Sequence, residues 1–489
     1  MTTSQSLTSL ILDHSPVLST ALLLFLAAIV GPHILQRSQL WKIPFIGEEL
    51  GGTEKRRQAY LAGARKLYND GYRKVTFSNA AHLRHASIVV LSPSFLPELK
   101  KLPDNVVSME AAVDDSMETK YTRVETYVPI VPHTIKANLT PSLVRLNPII
   151  AQEVREAFEL EMPEGQDWTE INIHHILLRV VGMVSGRMFI GPELCRTDQY
   201  LDAAINYTME VMEAQRARIK EFDDFLTPVV EGREEAAKDP SFEKPDDMLQ
   251  WIMDGREKFP DKNSRNMAKV QLGISFAAIH TTTLTATNVF YDLAALPELA
   301  VELREEAQQA LADNGGVFTG NALQSMKKLD SFLKETLRLH PASMASFQRK
   351  VLKSFTLSNG QVIPAGVIIE VPAVAVNSDC ELFPKADEMD PLRFYRLRQE
   401  AKAGGSVEGS ALNQFVSVSQ NSLTFGYGRH ACPGRFFAAN EIKMIVANFL
   451  MRYEVKNVIG SAKRYPNMEF AHMSIPDPSK MVLFRELDN

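Results

Sequence analysis

Phe425-Gly-Tyr-Gly-Arg-His-Ala-Cys432-Pro-Gly-Arg-Phe-Phe-Ala438 is the stretch that decides how the chain is read. Cys432 sits in a glycine-punctuated loop directly before Pro433 and Gly434, and apolar spacing then predicts a helix over 435–450. A thiolate there faces a helix N-terminus. The partial positive charge of that terminus, its unpaired N–H groups and the nearby Arg429 and Arg435 favour the ionised sulfur. Gly426, Gly428 and Gly434 let the backbone pass close to a flat cofactor where a Cβ would collide. A soft, anionic sulfur held in this way suits the axial position of haem iron. The competing reading of a single cysteine is a buried free thiol.

Working outward, the chain has 489 residues, room for two or three ordinary domains, yet no Pro/Gly/Ser linker separates its apolar-periodic blocks. The expectation is one large domain over 37–489 behind a short segment over 1–36. A hydrophobic fraction of 45% supplies a core, and a net charge of −6 argues against nucleic acid as a partner. Cys195, Cys380 and Cys432 are too scattered for a disulfide framework, which points to a reducing compartment for the body.

Residues 16–35 carry no Lys, Arg, Asp or Glu. As a helix they reach about 30 Å, enough to span a bilayer. No Lys or Arg precedes them while Arg37 and Lys42 follow, so the positive-inside rule places the body in the cytosol. A cleaved signal peptide lacks support, because there is no basic n-region and no clear small-x-small site. The expectation is therefore an uncleaved, single-pass membrane anchor.

Three- and four-residue apolar spacing predicts helices over 143–160, 172–188, 199–226, 245–253, 264–296 and 328–339, with Pro297 opening a further one. Strands are predicted over 73–77, 87–92, 351–357 and 361–371, the last two joined at Asn359-Gly360. The fold class is mainly α with a small β region, without βαβ alternation.

Inside the longest helix the chain reads Ala277-Ala-Ile-His280-Thr-Thr-Thr283. Three threonines are poor helix formers, and their hydroxyls can bond carbonyls one turn back and loosen the ladder. A locally opened helix makes room for dioxygen and water. His280 either relays protons, which its ordinary pKa near 6.5 suits, or is a hydrogen-bonded core histidine. Glu335 and Arg338 share a helix face at i,i+3 among apolar neighbours.

The loop resembles the cysteine-ligand loop of the cytochrome P-450 family at Phe425, Gly428, Cys432 and Gly434, and three further motifs fall in that family's order. The resemblance runs from Trp41 to the end of the chain. It implies the cytochrome P-450 fold, haem b with Cys432 as thiolate ligand to iron, and Thr281 as the hydroxyl that passes protons during dioxygen cleavage. Ala277, Ala278, Thr281 and Thr282 match the family pattern, while His280 replaces its acid. Glu335 and Arg338 match Glu-x-x-Arg, with Arg393 as third member of a buried structural cluster. Arg349 and Lys136 stand where the family takes cations for the haem propionates. His430 replaces the usual propionate-binding Arg, which weakens that contact without touching the iron.

By the same resemblance, electrons come from NADPH through a separate NADPH–cytochrome P-450 reductase, and the enzyme sits in the endoplasmic reticulum membrane. Substrate contacts fall on 98–125, 206–216, 276–279, 342–346 and 472–475, with Met209, Met212, Met344 and Met473 as an adaptable apolar surface. The closest likeness is to fungal secondary-metabolism members that oxidise small apolar terpenoid, indole-diterpene or meroterpenoid intermediates. Two rivals are carried alongside: a haem-thiolate isomerase or dehydratase that needs no reductase, and a non-catalytic haem or lipid-binding membrane protein.

Overall fold

The computed structural model describes residues 38–487 apart from 41–42, 45, 79, 84–87, 123–126, 208–211, 260–265 and 459–462, with only scattered positions before residue 38. The anchor expected over 16–35 thus lies largely outside the described residues; Ser19, Thr20, Ala21, Leu24, Phe25, Ala28 and Gly31 within it are helical. Among the described residues no helix is long and apolar enough to cross a membrane.

The body is mainly helical. Its principal helices are α1 (Arg65–Ser78), α2 (Thr140–Glu161), α3 (Ile173–Phe189), α4 (Asp198–Asn206), α5 (Met212–Ala236), α6 (Met248–Gly255), α7 (Met267–Ala295), α8 (Pro297–Ala312), α9 (Lys327–Leu339), α10 (Arg393–Ala403) and α11 (Arg435–Arg452). Side-chain caps start several of them. Asn172 accepts from the His175 N–H, Thr197 from Tyr200, Asp247 from Gln250 and Asn266 from Lys269, each satisfying an N–H that has no partner inside its own helix. Pro297 occupies the first turn of α8, where a missing N–H does no harm.

One five-stranded sheet lies beside the helices. It contains β1 (Ala80–Leu83), β2 (Ile88–Leu91), β3 (Val107–Ser108), β4 (Ser346–Val351) and β5 (Ile368–Val371), in the order β1-β2-β5-β4-β3. β2 and β5 run parallel and the other neighbours antiparallel. Gly360, at φ 84, makes the turn of a separate short hairpin in which Thr356 pairs with Val362.

Two local expectations fail. The predicted strand over 73–77 is the last part of α1. Its Val75-Thr-Phe77 run favours a strand locally, but the buried face of Leu67 and Tyr68 sets a helical period that carries on to Ser78. Packing here overrides propensity. The single helix predicted over 199–226 is described as two, α4 and α5, and α5 runs on past Pro228 to Ala236. An interior proline costs about 3 kcal/mol. Against that stand buried Phe222 and Leu226 and the buried Arg233, whose guanidinium meets Asp247 at 2.8 Å and Glu193 at 3.0 Å.

α7 is the axis of the body. At 29 residues it is about 44 Å long, and α3, α4, α5, α9 and α11 all touch it. Its apolar residues belong to the same core cluster as those of α2, α3 and α11. α9 lies in the interior with a carboxylate at its centre. Glu335, with no exposed surface, accepts from Arg338 Nε at 2.9 Å and Nη2 at 2.8 Å, from Arg393 Nε at 3.1 Å and from the Asp390 N–H at 3.1 Å. The two guanidiniums spend their remaining donors on the carbonyls of Asn377, Pro384 and Ala386, each at 2.6 Å. One carboxylate thus ties α9 to the whole approach to α10.

A second buried carboxyl, Glu441 on α11, accepts from Ser185 Oγ at 2.8 Å, and its Oε2 meets no partner. Burial raises it from its ordinary 4.5 to about 8, the Ser185 hydroxyl opposing.

Two outcomes follow from these carboxylates. Glu335→Gln strands two buried cations and is expected to lower stability by about 3–5 kcal/mol in urea unfolding, whereas Arg57→Ala, in an exposed pair with Glu54, leaves the midpoint in place. Glu441 binds its proton more tightly folded than unfolded, so its contribution is full below about 4.5 and is lost as the pH rises toward about 8. Glu441→Gln should therefore remove a decline of about 1.4 kcal/mol per pH unit across that window, read by comparing unfolding of both proteins at its two ends.

Candidate functional site

The loop before α11 is folded by its own glycines. Gly426 has φ 79 and Gly428 φ 72, values that L side chains rarely adopt. A Cβ at Gly428 would also stand 3.1 Å from Lys100 Cβ. At Gly434 an added Cβ would meet nothing within 4 Å. The first two glycines therefore serve the loop's path and its packing, and only the third leaves open space beside the backbone.

Within the loop the Cys432 N–H donates to the Phe425 carbonyl at 2.7 Å, and Arg435 Nη1 donates to the Cys432 carbonyl at 2.9 Å. Burial pushes the Cys432 thiol up; the N–H groups of Gly434 and Arg435 and the Arg435 guanidinium pull it back. These are the helix-terminus donors a thiolate needs. They do not outweigh burial by themselves. Phe425 packs edge-on against Phe415 at 5.4 Å.

α7, which touches α11, is buried along most of its length, but Ala277 and Thr281, one turn apart, are exposed. They open onto space rather than onto packed side chains. Thr281 Oγ1 donates to the Ala277 carbonyl at 2.7 Å, Thr285 to Thr281 at 2.8 Å and Thr287 to Thr283 at 2.8 Å. The hydroxyls bond one turn back, yet the helix is continuous from Met267 to Ala295 and the expected local opening is not seen. His280 is half-buried, its ring 5.7 Å from Phe276. Burial lowers its pKa, opposed by the Ile205 carbonyl at the end of α4, and its buried Nε2 meets no partner among the described residues.

Arg349 lies on β4 just after a register shift, where Phe347 takes the left-handed φ of 53. A bulge of this kind re-aims the next side chain. The guanidinium is buried, stacks on the Phe347 ring at 4.3 Å and donates to the Gln348 carbonyl at 2.7 Å, with no carboxylate paired to it among the described residues. Burial, with repulsion from Arg429, lowers it to about 10. A buried cation without an anion asks for one. Lys136 is exposed on the π-helical turn Ile135–Leu139. His430 is committed elsewhere: Asp104 Oδ1 and Arg429 Nε both lie 3.1 Å from its Nε2.

Asp104 is the residue that the sequence reading missed. Its carboxylate takes Arg429 at 2.6 Å and so docks the 98–125 connection onto the cysteine loop, along with the Leu102 carbonyl, which accepts from Arg429 at 2.8 Å. No local pattern signals a pairing across 325 positions. That connection is also more ordered than a bare loop, holding the helices Leu96–Leu99 and Met109–Ser116 and the edge strand β3. Of the expected substrate segments, 342–346 and 472–475 are laced together, the Met344 N–H donating to the His472 carbonyl at 2.7 Å and Ser474 to Ala342 at 3.1 Å. Met473 is exposed, but Met344 has no exposed surface and packs with Ile46, Leu67 and Tyr68. Met344 is core, because its backbone sits where α1 closes over the sheet. Met209 lies outside the described residues.

Known proteins carry the same arrangement of sequence. The family model described as Cytochrome P450 matches residues 176–484. The cytochrome P450 monooxygenase ATR3 of Stachybotrys chlorohalonatus is 38% identical over 82% of this chain and 89% of its own length. A cytochrome P450 monooxygenase of Emericella nidulans is 34% identical over 92% and 88%, and braC of Annulohypoxylon truncatum, likewise a cytochrome P450 monooxygenase, 32% identical over 96% and 97%. Matched over most of its length and carrying a cysteine loop at the mouth of α11, the chain belongs to the cytochrome P450 monooxygenases.

Proposed function

We propose that this enzyme is a membrane-anchored monooxygenase of fungal secondary metabolism that oxidises an apolar, terpenoid or meroterpenoid intermediate, with Cys432 as the thiolate ligand of its haem. The observation that carries the reading is the partly exposed Cys432, its amide locked to Phe425 and donors from Gly434 and Arg435 directed at its sulfur. The residues fit the family's haem. Gly434 leaves open space beside the backbone, and the buried Arg349 lacks an anionic partner that a propionate would supply. Bound there, the haem supplies the activation of dioxygen, the thiolate favouring O–O cleavage.

The chain's own residues do the rest. Thr281, exposed on α7, presents the hydroxyl that hands protons into the site, and its bond to the Ala277 carbonyl holds it in one rotamer until it is used. His280, turned toward Ile205, reaches Thr281 only through the helix and serves as a reserve proton carrier or as packing. Arg349 orients a propionate; Lys136 and His430 are secondary partners, His430 through whatever capacity Asp104 leaves it. Electrons come from NADPH through a separate reductase, and the apolar run over 16–35 tethers the body to the endoplasmic reticulum membrane with the catalytic domain in the cytosol. The isomerase or dehydratase reading is not favoured, since the relatives named above are monooxygenases.

The test uses the full chain in microsomes with the reductase and a panel of polycyclic terpenoids. NADPH consumption should rise with one class of substrate and stop without reductase, and the protein should leave the membrane fraction when residues 1–36 are deleted. Thr281→Ala should keep consuming NADPH while product falls by about 100-fold, the balance appearing as hydrogen peroxide. Unchanged product, or turnover without reductase, contradicts the proposal.

A further inference from the structure

Beneath the cysteine loop, α9 carries two buried charges that the chemistry above does not use. Asp330 Oδ1 meets Lys443 of α11 at 2.6 Å, and Oδ2 meets Arg398 of α10 at 3.0 Å and accepts the Phe415 N–H at 2.9 Å. One turn further, Lys334 donates to the carbonyls of Leu412 at 2.9 Å and Gln414 at 2.8 Å, its ammonium lying 4.9 Å above the Phe394 ring. Both side chains are buried. Two residues of one helix therefore capture three backbone groups within 412–415, a segment that lies just ahead of the cysteine loop and has no regular secondary structure beyond Leu412.

That capture is transmitted. Phe415, held by its N–H, sets its ring edge-on against Phe425 at 5.4 Å, and Phe425 accepts the Cys432 N–H at 2.7 Å. Lys334, Phe394, Phe415 and Phe425 line one small void, together with Arg338 and Phe383. Burial pushes Asp330 up, but Lys443, the Phe415 N–H and Arg398 outweigh it and keep the carboxylate ionised. A lysine with carbonyl partners only is an unusual buried group: burial brings its pKa down to about 7, the Asp330 carboxylate opposing. A fixed backbone segment is what it supplies in return.

We propose that Asp330 and Lys334 are positioning residues for the oxidation: they clamp 412–415 so that Phe415 seats Phe425, and the Phe425 carbonyl then fixes the Cys432 amide and its sulfur. The inference rests on Cys432 being the haem ligand. It assigns to α9, besides the Glu335 cluster that begins at the very next residue, a direct grip on the segment before the ligand loop.

The test compares full-length, haem-loaded wild type with Lys334→Met and Phe415→Leu. Readouts are the reduced, carbon monoxide-bound spectrum, the midpoint potential and hydrogen exchange of the 425–432 amides. Both variants are expected to keep haem while the ratio of far-red to ordinary Soret forms falls by about tenfold, the potential moves and the loop amides exchange faster. If Lys334→Met fails to take up haem, Phe415→Leu decides alone. A wild-type band ratio and potential in the folded variants overturns the clamp. Retention of the far-red band by Cys432→Ser would instead overturn the ligand assignment beneath it.

Discussion

A thiol at the mouth of a helix, buried enough that burial raises its pKa and surrounded by donors that lower it, is the constraint on which the rest of this structure depends. The N–H groups of Gly434 and Arg435 and the Arg435 guanidinium do not suffice alone. In the proposed complex a haem iron would supply the remainder, and the porphyrin's propionates would bring an anion to the buried Arg349. Sulfur and guanidinium are thus complementary demands, one for a cation and the other for an anion. A single ligand meets both.

Holding a sulfur in that position takes rigidity from several directions. The loop's glycines at positive φ set its path, Lys100 and Asp104 dock on its outer side, and the Cys432 amide is tied to Phe425. From the interior, α9 grips the segment before the loop through Asp330 and Lys334 and the segment before α10 through Glu335. Charge buried in this way adds little net stability when complete and a large penalty when broken. It serves definition of structure more than strength. α7 then crosses the body so that its exposed stripe of Ala277 and Thr281 is carried by a helix that α3, α9 and α11 all brace.

Much of this was legible in the sequence where the determinants are local. The cysteine, its glycines and the first turn of the following helix occupy fourteen consecutive residues, and Glu335 with Arg338 obeys helical spacing. The long helix announced itself by period, and it begins and ends within three residues of its predicted limits. What escaped was set by distant packing. Val75-Thr-Phe77 looks like a strand until Leu67 and Tyr68 are seen buried two turns earlier. Pro228 looks like a stop until Arg233 is found locked to Asp247. Met344 resembles a substrate contact until the sheet closes over it. Asp104 and the Asp330 clamp join residues 68 to 325 positions apart, and no short window along the chain contains both partners.

The measurement that bears most directly on this account is the reduced, carbon monoxide-bound difference spectrum of the full-length protein beside Cys432→Ser. Thiolate ligation by Cys432 requires a Soret band displaced far to the red in the wild type and absent from the variant. A wild-type band at the ordinary position, or a far-red band that survives the loss of the sulfur, would contradict it.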